Sequence, residues 1–192
     1  MKKIVLIVVC VALSYALSAQ IQHGIKVGLN FAKVGGDIPD GSDISNITGL
    51  AVYYVFKTQG DKFSYFFDMG YSQSGFKEKF NGVESSVKIH NMEFDFVGLQ
   101  YSFMSDWSKI RPVLQTTLGV RGSLSGKITT PEGSESIDLD RQFDMIWSLG
   151  GGITLTKHAQ FMINYGGGFF DAFTEDSGLK NRQIQLSATY FF

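Results

Sequence analysis

A chain of 192 residues with 17 Lys+Arg, 18 Asp+Glu and a net charge of −1 has no basic excess to offer a nucleic acid. Its length suits one domain, and its single cysteine excludes a disulfide framework and a thiolate metal site. The 22 glycines, 17 phenylalanines and 8 tyrosines beside only 3 prolines suit a transmembrane β-barrel better than a water-soluble domain.

The N-terminal stretch reads as a secretory signal peptide. Met1-Lys2-Lys3 is a positive start, Ile4 to Leu13 is an apolar core, and SYALSAQ supplies small residues for cleavage. The expected cut follows Ala19, with cleavage after Ser18 as the alternative. This divides the chain into a signal peptide, 1–19, and a single barrel domain, 20–192. Val9 stands before Cys10 where lipidation would need a small residue, so the cysteine leaves with the signal. Loss of Lys2 and Lys3 reduces the 17 basic residues to 15, against 18 acidic ones.

Beyond the signal, eight segments alternate with period two. The first, GIKVGLNFA, sets Ile25, Val27, Leu29 and Phe31 against Lys26, Gly28, Asn30 and Ala32. The second, TGLAVYYVF, sets Leu50, Val52, Tyr54 and Phe56 against Ala51 and Tyr53. The third, FSYFFDMGYS, places Asp68 among the non-lipid residues. The fourth, MEFDFVGLQYSF, breaks the period once, and one extra residue near Phe96-Val97 would restore it as a β-bulge. PVLQTTLGVRG, FDMIWSLGGGITL, FMINYGGGFF and IQLSATYFF complete the set.

No apolar face in this assignment carries a charge. A lysine or arginine facing lipid at mid-depth costs about 2–4 kcal/mol. Lys26, Asp68, Glu93, Asp95, Arg121 and Asp144 are therefore expected to point into a lumen and form an ion-pair network that rigidifies it. Gly28, Gly70, Gly119, Gly150, Gly166 and Gly168 would leave room there for Phe66, Met162 and Phe170. Glycine runs at 150–152 and 166–168 lie inside strands, where close packing explains them.

Connections after odd segments are long: GGDIPDGSDISN, GFKEKFNGVESSVK, SGKITTPEGSESIDLDR and DAFTEDSGLKN. Those after even segments, KTQGDK, MSDWSK and TKHAQ, are short. Outer-membrane barrels pair long outer loops with short periplasmic turns. The third long connection could extend the barrel as a hairpin. Both chain ends then lie on the periplasmic side, where Tyr190 and Phe192 would join an aromatic girdle. The expected fold is all-β: an eight-stranded antiparallel up-and-down transmembrane barrel, OmpA- or OmpX-like, in a bacterial outer membrane.

The stretches GIKVGLNFAKVGGD and FSYFFDMGYSQSGFK, with the aromatic terminal strand, resemble the PorT-type outer-membrane β-barrel domain family over nearly the whole exported chain. The chain departs at Asp95, which follows Glu93-Phe94 where that family often carries proline. The resemblance implies a small outer-membrane barrel. One family member is a component of a protein secretion system, so an envelope-complex protein is a second possible partner beside membrane lipid and lipopolysaccharide.

Candidate chemistry is sparse. Asp37, Asp40 and Asp43 could hold calcium or bridge to lipopolysaccharide phosphates, but their spacing matches no EF-hand loop and a solvated loop is the expectation. His23, His90 and His158 fall on segments that give no reason to converge. There is no G-x-S-x-G, no H-E-x-x-H and no glycine-rich phosphate loop. The expectation is a non-enzymatic scaffold for surface loops, without cofactor, metal or catalytic residue. Its alternatives are an assembly component, a lipid-modifying barrel enzyme and a narrow channel.

Overall fold

The computed structural model describes residues 21–36, 41–80, 82–106, 110–137, 143–171 and 178–192. The signal peptide expected over 1–19, Asp37 and Asp40 lie outside the described residues. The described residues form ten strands: β1 (Ile21–Gly36), β2 (Ser42–Ser45), β3 (Ile47–Thr58), β4 (Phe63–Phe80), β5 (Val83–Ser102), β6 (Arg111–Thr130), β7 (Gly133–Ile137), β8 (Phe143–Thr154), β9 (Ala159–Asp171) and β10 (Leu179–Phe191). All pairings are antiparallel. They run from β1 through β3, β4, β5, β6, β8 and β9 to β10, and β10 pairs back with β1. The circuit has no open edge, which removes the unpaired backbone row that lipid cannot satisfy.

Ten strands stand where eight were expected. The extra two are short and lie in stretches read as long connections: β2 pairs with β4, and β7 pairs with β6 as the hairpin foreseen there. The second long connection is not a loop. β4 and β5 continue through it, Phe76 opposite Val87 and Phe80 opposite Val83. Its lysines and glutamates gave it a solvated look, yet the strands keep alternating, with Phe76, Val87 and Ile89 buried inside. Gly75 takes φ 136°, which an L side chain rarely adopts, and a Cβ there would meet the Val87 carbonyl.

Burial alternates along each strand, with the polar residues inside. Asn30, Ser72 and Asn91 are completely buried, whereas Leu50 and Ile163 are about 60% exposed. A water-soluble barrel would show the reverse. The expected bulge is present. Asp95 pairs with Gly119 and Val97 with Leu118, so Phe96 is the extra residue, and Phe96 and Val97 both face outward. Phe170 departs from expectation. Gly167 pairs with Arg182 and Asp171 with Lys180, a register shift that leaves both Phe169 and Phe170 exposed instead of one in the lumen.

Each end of the lumen holds an apolar cluster. Val34, Phe76, Val87 and Ile89 pack with Ile44, Ile128 and Leu179 at the end that carries β2 and β7. Val55, Phe66 and Phe191 pack at the end that carries the short turns.

Leu118 lies between Val97 and Trp147 in the outward row. Leu118→Arg is expected to cost about 2–4 kcal/mol and block insertion. A normal yield of heat-modifiable protein in the outer membrane would refute this register.

Candidate functional site

The alternation that gives lipid an apolar surface concentrates polar side chains in the lumen. All six charged residues assigned there from the sequence, Lys26, Asp68, Glu93, Asp95, Arg121 and Asp144, are buried. Two ion pairs form among them. Lys26 meets Asp68, and Arg121 Nε donates to Glu93 Oε1 at 2.6 Å. Asp95 lies opposite Asp68 in register. Asp144 lies opposite Arg121, and its Oδ1 accepts from the Phe170 backbone N–H.

Neutral partners that the sequence did not single out complete the network. Glu93 accepts from Tyr53 Oη at 2.6 Å and from Ser72 Oγ at 2.7 Å. Arg121 Nη2 donates to Gln183 Oε1 at 3.0 Å. Gln185 Nε2 donates to Asn30 Oδ1 at 2.8 Å and to Tyr53 Oη at 3.3 Å. Lys26 sits over the Tyr53 ring, 4.1 Å from its centroid. Among these contacts, Lys26–Asp68 joins β1 to β4, Tyr53–Glu93 joins β3 to β5, and Arg121–Gln183 joins β6 to β10, strands that are not neighbours in the sheet.

A second polar layer lies nearer the short turns. Lys57 Nζ donates to Gln100 and to Gln160, each at 3.1 Å, and Gln160 donates to Gln100 at 3.0 Å. Lys57 was read as part of a turn. In the structure it is the last residue but one of β3, faces inward and is 4% exposed. Arg111 Nε donates to the Met104 carbonyl at 2.7 Å, and its Nη2 donates to the Asp61 carbonyl. Tyr53, Gln100 and Gln185 stood on polar faces of the alternation, so their burial was legible, though not their partners.

Little space remains. A cavity of about 30 Å³ lies among Tyr53, Glu93, Asp95, Arg121 and Asn164, and another of about 20 Å³ among Lys57, Asp68, Gln100 and Phe191. Each has room for about one water. Glycines make this filling possible: a Cβ at Gly119 would collide with Asp95, and one at Gly150 with Asn164.

The other candidates do not assemble. His23 packs on Phe56 at 5.2 Å, His90 bonds Tyr71 on the outward face, and His158 stacks on Tyr190 at 6.0 Å. Asp43 lies on β2 opposite Lys79, and no cluster of three His, Cys, Asp or Glu among the described residues is arranged to hold a metal ion. The end of β10 is held on both sides. Phe191 N donates to the His158 carbonyl at 2.7 Å, and Phe192 N donates to the His23 carbonyl at 2.8 Å. Tyr190 and Phe192 are each 60% exposed, with ring centroids 6.1 Å apart.

Residues 4–192 match the outer membrane protein β-barrel domain family. No curated protein matches the chain. Among solved structures, Neisserial surface protein A is similar with a TM-score of 0.53 at 10% identity, over 88% of this chain and 97% of that one. The attachment invasion locus protein Ail of Yersinia pestis, in complex with the heparin analogue sucrose octasulfate, gives a TM-score of 0.49 at 12% identity, over 90% and 99%. OprG from Pseudomonas aeruginosa gives 0.48 at 13% identity, over 90% and 94%. At these identities the likeness to Neisserial surface protein A is one of fold.

Glu93→Ala would leave Arg121 buried without its carboxylate, at an expected cost of about 3–5 kcal/mol. Glu93→Met combined with Arg121→Met should recover most of that loss in urea unfolding from lipid vesicles. A small, equal loss in both variants would show that the pair is not desolvated. Deletion of Phe192 removes a backbone bond and an aromatic contact at the closing strand. It should lower the yield of heat-modifiable protein, and an unchanged yield would refute a role in closure.

Proposed function

We propose that this chain, which belongs to the outer membrane protein β-barrel domain family and lies in the bacterial outer membrane, works as a non-enzymatic, eight-stranded scaffold that presents a rigid surface outside the cell. The filled lumen carries this reading. Cross-barrel hydrogen bonds and two water-sized cavities leave the outside of the barrel and its ends, not the lumen, to meet a partner.

The two ends differ. At one, adjacent strands are joined by short turns. At the other, β4, β5 and β6 run on for 18, 20 and 20 residues, where about 9–11 suffice to cross a bilayer. With β2 and β7 they form a sheet standing clear of the membrane. What is presented is thus more sheet than loop. The scattered histidines and the absence of a nucleophile motif support the non-enzymatic reading. Lipid and lipopolysaccharide are the expected surroundings.

The orientation is testable with protease sites placed in two turns. A site at Pro131-Glu132, between β6 and β7, should be cut on intact cells. A site at Lys157, between β8 and β9, should be cut only after the outer membrane is opened. The reverse pattern would overturn the reading. Mild-detergent capture of the tagged protein from the same cells decides its company. Recovery alone fits a stand-alone scaffold, whereas a reproducible stoichiometric partner identifies an assembly component such as the PorT resemblance implies.

A further inference from the structure

One outward row on β1 and β10 ends in an unusual way. Phe31 pairs with Ile184 as its last apolar rung, and two residues further out Lys33 lies directly opposite Arg182. Lys180 follows on the next outward rung of β10, opposite Gly35. Like charges directly opposite one another destabilise a sheet. Neither Lys33 nor Arg182 forms an ion pair among the described residues. The outward lysines of β4 contrast with them. Lys77 reaches Glu84, and Lys79 lies opposite both Asp43 and Glu84.

Depth gives the pair a meaning. Two residues along a strand are about 7 Å, and the tilt of a membrane barrel reduces that to about 5 Å of height. The headgroup layer on each side of the hydrocarbon is about 5–8 Å thick. With Phe31 and Ile184 at the edge of the hydrocarbon, Lys33 and Arg182 reach the level of lipid phosphates.

Below the Phe31–Ile184 rung, an apolar groove of about 700 Å³ runs over the lipid-facing surface of β3, β1, β10, β9 and β8. Val27, Leu29, Leu50 and Leu186 line it, and Ala188 and Gly151 leave it hollow. A basic pair at headgroup depth, set one apolar rung (Phe31 and Ile184) above an apolar channel, matches a molecule with an anionic head and a hydrocarbon tail.

We propose that Lys33 and Arg182 clasp a phosphate of an outer-leaflet glycolipid of the lipid A type, whose acyl chain lies in the groove beneath. The proposal rests on the orientation given under Proposed function. The guanidinium fork of Arg182 suits two phosphate oxygens, and Lys33 adds a second positive charge. The phosphate relieves the like-charge opposition within the sheet. Ala188 and Gly151 supply the hollow that one acyl chain fills.

The test is native mass spectrometry of the folded protein in neutral detergent, titrated with purified lipid A. Lys33→Gln with Arg182→Gln should weaken binding at least about tenfold, as expected for two basic groups near an anionic surface. Ala188→Trp, which fills the groove without altering charge, should weaken it several-fold. Lys77→Gln with Lys79→Gln removes the same charge from lysines that face carboxylates and should leave binding unchanged. Dephosphorylated lipid A should bind the unaltered protein no better than lipid A binds the Lys33/Arg182 variant, and millimolar inorganic phosphate should not displace lipid A. The variant loses a repulsion, so it should remain heat-modifiable. A folded Lys33/Arg182 variant that binds normally, or an equal loss in the Lys77/Lys79 control, would overturn the proposal. Displacement by free phosphate would assign the pair to a soluble anion instead. The protease test reads orientation independently, so failure of this site and failure of that orientation give different results.

Discussion

Hydrocarbon offers no hydrogen bond to a peptide group, and this single constraint organises the molecule. A strand can lie in lipid only if both edges are paired, so the sheet must close, and β10 returns to β1 with thirteen residues in register. Closure fixes the two faces of every strand. The outer face must be apolar, which drives Lys26, Asp68, Glu93 and Arg121 inward as a group. The polar interior is thus a consequence of the lipid-facing exterior.

A narrow ring turns that consequence into rigidity. Desolvated charges are costly alone, and their cost falls when geometry and further hydrogen bonds satisfy them. The Glu93 carboxylate takes three donors, from Tyr53, Ser72 and Arg121, on three different strands. Arg121 reaches on to Gln183, and Gln185 links Tyr53 to Asn30. Three of these bonds, Tyr53–Glu93, Arg121–Gln183 and Gln185–Tyr53, cross the lumen between strands that the sheet itself does not pair. Deforming the ring would break them together, so the lumen acts as a set of struts.

Period-two alternation made the long strands, the inside-outside sense and the Phe96 bulge legible in the sequence. A bulge can be read because it leaves a local trace, a shift of the apolar face from Phe94 to Val97. Other features left no such trace. The outer parts of β4 and β5 alternate Phe76, Lys77, Val87 and Lys88, but charges facing water look the same on a strand as in a loop. Phe170 was misplaced because the shift in the β9–β10 register depends on the partner strand. The pairing of Tyr53 with Glu93 was hidden for a deeper reason. Contacts across a ring depend on the stagger between non-neighbouring strands, and alternation within one strand carries no information about that stagger. Lys57 shows both limits, since its burial depends on where β3 stops and its partners lie on β5 and β9.

The two ends complete the argument. Val55, Phe66 and Phe191 close one end, and a larger apolar cluster around Val34, Phe76, Val87 and Ile89 closes the other. The second cluster lies where β4, β5 and β6 outrun the membrane, so the extended sheet has a core of its own and need not collapse onto the bilayer. A sheet that stands away from the membrane needs fixed footing. On the proposed orientation, Tyr190 and Phe192, exposed and in ring contact at the turn end, would hold the barrel at one interface. At the opposite interface the proposed clasp of Lys33 and Arg182 on a phosphate would set the level of the headgroups. On this view the lumen fixes shape, the interfaces fix height, and the sheet is left free to make contact.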